Sequence, residues 1–113
     1  MSSWVRYHFR HLRRWREYAE KIARAAKDIV PEAEVYVIGG VAEDRVTVLS
    51  DIDILVVVRT LDKQARRRLK IDILERAIDA YNLPWDAPVE LHLVDGVEAE
   101  RYIRASRKMI RIA

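Results

Sequence analysis

Asp51 and Asp53 stand two residues apart at the head of an apolar run, Ile52–Val58, with residues 41–50 separating them from the pair Gly39-Gly40. On a strand, side chains at i and i+2 point to the same face. Two carboxylates so placed repel each other unless a cation sits between them. Ile52, between them, faces the other way into a core. This is the pattern of a divalent-metal site built on a rigid strand, beside a glycine turn able to take a phosphate. Asp51 alone would be an ordinary turn residue after Ser50. Asp53, inside an apolar strand, is not explained that way, because an unpaired charge there is costly.

Phosphoryl and nucleotidyl transfer need negative charge neutralised on phosphate oxygens, an in-line nucleophile and little covalent chemistry from the protein. Two divalent ions about 3.5–4 Å apart do this well. Magnesium prefers hard oxygen ligands and keeps several waters, so a few carboxylates suffice, and manganese can substitute. Glu90 is the natural third acid: it lies on the polar face of a second strand pattern, Val89–Val94. If the two strands are neighbours, three carboxylates converge. The glycines answer the other half of the problem. A strand ending in Gly39-Gly40 can turn sharply and approach a ligand closely. The N–H groups of Gly40 and the following turn can point at phosphate oxygens, and Ser50 adds a hydroxyl. His92 shares a face with Glu90, where a hydrogen bond to a carboxylate is the common outcome.

These residues need a frame. Ser2 or Ser3 can cap a first helix running to about Asp28, with Trp4, Leu12, Trp15, Ala19, Ile22, Ala26 and Ile29 in one stripe. Pro31 ends it. Val35–Ile38 is a short buried strand stopped by the glycines, and Val41–Leu49 is a polar stretch with one helical turn. Ile52–Val58 is apolar enough to be covered on both faces. A long helix follows from about Leu61 to Tyr81, with Leu69, Ile73, Ala77 and Tyr81 inward, ended by Asn82 and Pro84. Val89–Val94 alternates, with Val89, Leu91 and Leu93 on one face and Glu90, His92 and Val94 on the other. Gly96 breaks it, and a helix from Val97 to Ser106 precedes a basic tail. The expectation is an α/β fold, an α+β two-layer domain with a mixed sheet of three or more strands packed against helices.

Composition sets the outer limits. A chain of 113 residues, half of them apolar, reads as one domain with a single core. With no cysteine, a disulfide framework, a zinc ribbon and a thiol nucleophile are all excluded. No apolar run approaches the ~20 residues needed to span a bilayer, so a cytoplasmic protein is expected. Charged residues make up 35% of the chain, with heavy arginine use, a pattern common among thermophile proteins. Basic clusters at Arg6, Arg10, Arg13, Arg14 and Arg16, and at Arg66-Arg67-Arg68, can meet nucleic acid. The favoured reading is a solvated helix face balanced by Glu17, Glu20, Asp62 and Asp72. His8 and His11 read as surface residues. Trp4, Trp15 and Tyr18 read as core or interface before a base-stacking platform. Tyr102, Met109, Ile110 and Ile112 add apolar surface near the C-terminus for a partner or a second copy.

The glycine pair, its spacing to Ser50-Asp51-Ile52-Asp53, and the later acidic strand Val89-Glu90-Leu91-His92-Leu93 resemble the nucleotidyltransferase fold of the DNA polymerase beta superfamily. More narrowly, the chain is similar to the prokaryotic minimal nucleotidyltransferases, over nearly its whole length (residues 1–113). The resemblance implies that Asp51 and Asp53 bind magnesium and that Glu90 completes the site as ligand or base. It implies that Gly39, Gly40 and Ser50 contact the nucleoside triphosphate, most simply ATP. It also implies a helical HEPN partner, a tyrosine of which would accept AMP and make this chain an antitoxin, with a homodimer as the other partner. Two departures from the family pattern involve three residues: Gly40 stands where serine is common, and Glu43-Asp44 where an Arg-Gly pair is common. Acids near a triphosphate oppose its binding, which motivates the rival expectation of a fold that neutralises a HEPN partner by contact alone.

Overall fold

Strands β1 (Glu34–Ile38), β2 (Ile52–Val58), β3 (Val89–Asp95) and β4 (Ile110–Arg111) form one mixed sheet in the order β3-β2-β1-β4. The computed structural model describes residues 3–47 and 50–113. β1 runs antiparallel to both β2 and β4, while β2 and β3 are parallel. A parallel pair needs a long crossover, and the helix α4 (Lys63–Tyr81) supplies it.

The period of two in the strands sorts the core. Ile52, Ile54, Val56 and Val58 join Val35, Val37, Leu91 and Leu93 on the face packed by α2 (Trp15–Ile29) and α4. Ile22 of α2 and Ile73 of α4 are fully buried there, where truncation to alanine costs about 2–5 kcal/mol. On the opposite face Ile38, Leu55 and Val94 pack with Ala99 and Tyr102 of α5 (Gly96–Ala105). β2 is thus covered on both faces past Asp53, as its apolar run Ile54–Val58 requires. α5 begins with a capping box in which Asp95 accepts from Glu98 N–H and Glu98 accepts from Asp95 N–H. Asp62 caps α4, and Asn82 ends it in the left-handed region at φ 57°. The Arg66 guanidinium of α4 reaches Glu98 of α5 at 2.7 Å. That ion pair joins helices from opposite faces past the outer edge of β3, a standard way to shield an edge strand.

Several expectations are corrected. The first helix is two: α1 (Ser3–Arg13) and α2 part at Arg14, whose φ of −91° and ψ of 18° leave the helical region. The bend lets His11 Nδ1 meet the Tyr18 hydroxyl at 2.6 Å, so His11 is buried and not a surface residue. Trp4 leaves the apolar stripe and is 61% exposed, while Tyr18 is fully buried, so no aromatic platform forms. Ser2 as a cap lies outside the described residues. The helical turn expected in Val41–Leu49 is α3 (Gly39–Ala42) and starts on the glycines themselves; residues 48 and 49 lie outside the described residues. The tail is not an exposed apolar surface. β4 pairs with β1, Ile110 and Ile112 pack on the main core, and Met109 and Tyr102 on the second cluster. The basic clusters are largely solvated, with Arg14 paired to Glu17 and Arg68 to Asp72. No helix among the described residues is long and apolar enough to cross a membrane.

Candidate functional site

The parallel register of β2 on β3 sets Asp53 opposite Glu90 and Leu55 opposite His92. Side chains of Asp53, Glu90 and His92 share one face, and each offers a ligand atom within 4.8 Å of the others. His92 Nε2–H donates to Asp53 Oδ1 at 3.1 Å, and the Tyr102 hydroxyl lies 3.4 Å from His92 Nδ1. The tautomer follows from the Asp53 contact, since an acid-facing nitrogen carries the proton. That hydrogen bond is the main cause that raises the His92 pKa; partial burial opposes it, the charges of Glu90 and Asp53 add to it, and Lys70 works against it. Asp51 is exposed at the residue before β2 and stands outside this group. The structure therefore brings two of the expected carboxylates together and adds a histidine.

The glycine turn borders the same group. Register pairs Ile38, the last residue of β1, with Asp53, so the next residue crosses directly over the Asp53 carboxylate. That residue is Gly39, at φ +70°, and a Cβ there would lie 2.5 Å from Asp53 Oδ2. Glycine is required twice over, for the backbone angle and for the space. Gly40 has ordinary backbone angles but little room: a Cβ would lie 3.0 Å from the Arg45 carbonyl oxygen. Arg45 N–H donates to the Gly40 carbonyl at 2.7 Å, closing the loop over the turn. α3 leaves its leading N–H groups without intrahelical acceptors.

Ser50 fastens the far side of that loop. Its Oγ accepts from Thr47 N–H at 2.8 Å, and its carbonyl accepts from His8 Nε2 at 2.8 Å. The hydroxyl lies 3.9 Å from the position of a Gly40 Cβ, which places Ser50 against the glycine turn. Glu43 is neutralised locally: Arg45 reaches it at 3.0 Å, and its side chain is only 11% exposed. Asp44 is exposed, at φ 57°.

The donor set suits a hard divalent cation. Two carboxylates converge, with Glu90 exposed enough to leave room for water, which is what magnesium or manganese asks for; the His92 ring, donating to Asp53, orients that carboxylate from beside it. Gly39 keeps Asp53 Oδ2 clear of carbon, and Oδ1 is oriented by His92. The arrangement sets a candidate cation site beside a loop of backbone donors, the combination that phosphate chemistry uses. Sequence reading missed Tyr102, His8 and His11. Tyr102 sits where the core packing of α5 turns it to His92, and the two histidines act through contacts 42 and 7 residues away in the chain, which no periodicity reveals.

Comparison with known proteins bears on the family and the fold. Residues 19–111 match the family model described as a nucleotidyltransferase domain. No curated relative matches the chain. A crystal structure described provisionally as a nucleotidyltransferase is 29% identical, with a TM-score of 0.58, covering 81% of this chain and 94% of its own. Another, from Sulfolobus solfataricus and described in the same provisional way, is 21% identical with a TM-score of 0.62. It covers 92% of this chain and 84% of its own, a likeness of fold. α1 and the first turn of α2 precede the matched residues.

Proposed function

The chain belongs to the nucleotidyltransferase domain family, and from that premise we propose that it moves a nucleoside monophosphate, AMP from ATP, onto a hydroxyl acceptor with magnesium as its cation. The observation that carries this reading is the register of Asp53 on Glu90, directly beside the Gly39 turn. Asp53 and Glu90 would hold the cation; Asp51, on the same side of β2, would join them by rotating its exposed side chain and give a second ion its ligands. When bound, such ions neutralise charge on the phosphates and on the entering oxygen; manganese would serve as well.

The chain's own residues do the rest. His92 pins Asp53 through Oδ1, so the carboxylate keeps one aim. The N–H groups of Gly40 and the turn after it, with the Ser50 hydroxyl, face the phosphate oxygens. Glu90, the most exposed of the group, accepts the proton of the acceptor hydroxyl. The chain acts as one domain, residues 1–113. Its acceptor is a tyrosine of a helical HEPN protein, giving an antitoxin role, with a second copy as the other partner to test.

A second reading rests on Asp51 standing outside the group and on the exposed Asp44 beside the turn: a binding module of the same fold that neutralises its partner by contact. The Glu43–Arg45 pair weakens that reading, because it removes one of the two opposing charges. Radiolabelled ATP separates the two. Asp53→Asn and Glu90→Gln are each expected to lower transfer on the order of 100-fold or more, the loss of several kcal/mol of charge stabilisation. Full activity in either variant ends the assignment. Thermal stabilisation by magnesium and ATP together, beyond either alone, supports catalysis; its absence at millimolar levels supports the module.

A further inference from the structure

In-line displacement places the entering hydroxyl opposite the leaving pyrophosphate. Gly39 covers the Asp53 carboxylate from the β1 side, whereas Glu90 and His92 flank it from β3. A triphosphate lying on the glycine turn therefore leaves the β3 side for the acceptor. On that side lies a cavity of about 440 Å³ along the edge of β3 between α4 and α5, with Arg66, Lys70, His92, Glu98, Arg101 and Tyr102 in its walls. His92 belongs both to the acidic group and to the wall of this cavity, so the two adjoin there.

The electrostatics of the cavity are one-sided. Three cations face one carboxylate, Glu98, which Arg66 already holds at 2.7 Å. Lys70 and Arg101 have no acidic partner among the described residues. Two free cations beside an acidic catalytic group form a bipolar site, suited to a ligand that brings its own negative charge alongside the hydroxyl. We propose that this cavity recognises the acceptor, and that the acceptor is a polypeptide segment whose hydroxyl-bearing residue is flanked by carboxylates, which Lys70 and Arg101 bind. The inference rests on the nucleotidyl-transfer reading above. A nucleic-acid backbone fits less well: it needs a row of cations tracking successive phosphates, with aromatic faces between. Here the cations line one short, half-open groove, and Glu90 and Glu98 interrupt any such track.

Two short synthetic peptides with a central tyrosine test this, one flanked by aspartate and glutamate, the other by asparagine and glutamine. Binding is followed by fluorescence anisotropy, and its place by backbone NMR shifts. The acidic peptide is expected to bind the wild-type chain about ten-fold more tightly than the neutral one, with shifts at α4, α5 and β3, the scale of one or two partly desolvated charge contacts. Lys70→Glu and Arg101→Glu are each expected to abolish that preference, while Lys70→Arg and Arg101→Lys keep it, which separates charge recognition from damage to the fold. Equal affinity for both peptides, no binding of either, or a preference that survives both charge reversals would overturn the proposal. So would a mixed-sequence oligonucleotide that displaces the acidic peptide at physiological salt. Stabilisation of the wild-type chain by magnesium and ATP is measured in parallel: its loss condemns the transferase reading, whereas its presence with no peptide preference condemns this inference alone.

Discussion

Gly39 lies so close over Asp53 that a single added carbon would meet the carboxylate, 2.5 Å from Oδ2. Three things coincide at that contact: a backbone angle of φ +70°, a strand register that pairs Ile38 with Asp53, and the side-chain oxygen left clear of His92. The glycine pair and the acidic pair are therefore one device. The turn both offers backbone donors and holds open the space that the carboxylate uses.

Gly39→Ala is expected to destabilise the fold by about 1–3 kcal/mol, from positive-φ strain together with displacement of Asp53. It should also remove the stabilisation given by magnesium and ATP. Gly40→Ser carries no φ penalty, and its one tight contact is the Arg45 carbonyl at 3.0 Å, which a small shift of an exposed loop relieves. It should cost less than Gly39→Ala. Denaturant unfolding of the two variants side by side checks the order; equal losses would refute it.

The proton on His92 is held chiefly by Asp53, so the folded chain binds it above the ordinary value of 6.5. Because the unfolded chain binds it less tightly, the contact adds stability that is complete below about pH 6.5. That contribution fades as pH rises through the folded value. NMR titration of the His92 ring should show the raised pKa, and Asp53→Asn should bring it down. Magnesium on Asp53 and Glu90 should lower it too, since cation and proton compete for the same negative charge. An unchanged titration in saturating magnesium would place the cation elsewhere.

Tyr18 is fully buried with its hydroxyl 2.6 Å from His11 Nδ1, and His11 Nε2 is itself buried without a hydrogen-bond partner, 4.0 Å from Asp86. Tyr18→Phe leaves both imidazole nitrogens unsatisfied and is expected to cost about 1–3 kcal/mol. Adding His11→Leu should recover part of that loss, since removing both partners is cheaper than orphaning one. A double variant less stable than Tyr18→Phe, measured by urea unfolding, would mean that His11 contributes mainly through packing.

The parts that were legible in the sequence are those with a period. β2 and β3 alternate or run apolar, α4 ends at Asn82, and the faces of Asp53, Glu90 and His92 follow from parity alone. Parity does not say which strands are neighbours. The meeting of Asp53 with Glu90 needed β2 and β3 to pair in register, and the α4 crossover decides that. β4 was hidden because two residues carry no periodicity. The break at Arg14 was hidden because no glycine or proline marks it; a contact between His11 and Tyr18 rewards the bend instead. Asp51 shows the opposite limit: spacing puts it on the right face, yet as an exposed residue ahead of the strand it is not held in the group.

The crossover through α4 has a consequence for synthesis. Asp53 leaves the ribosome well before Glu90 and His92, and the strand carrying those two is the one that pairs beside it. A nascent chain extended only through α4 owns the turn and one carboxylate but lacks the neighbours that complete the donor set. Cation affinity should therefore switch on late and all at once, when β3 docks, so that stalled or truncated products stay silent rather than half-active.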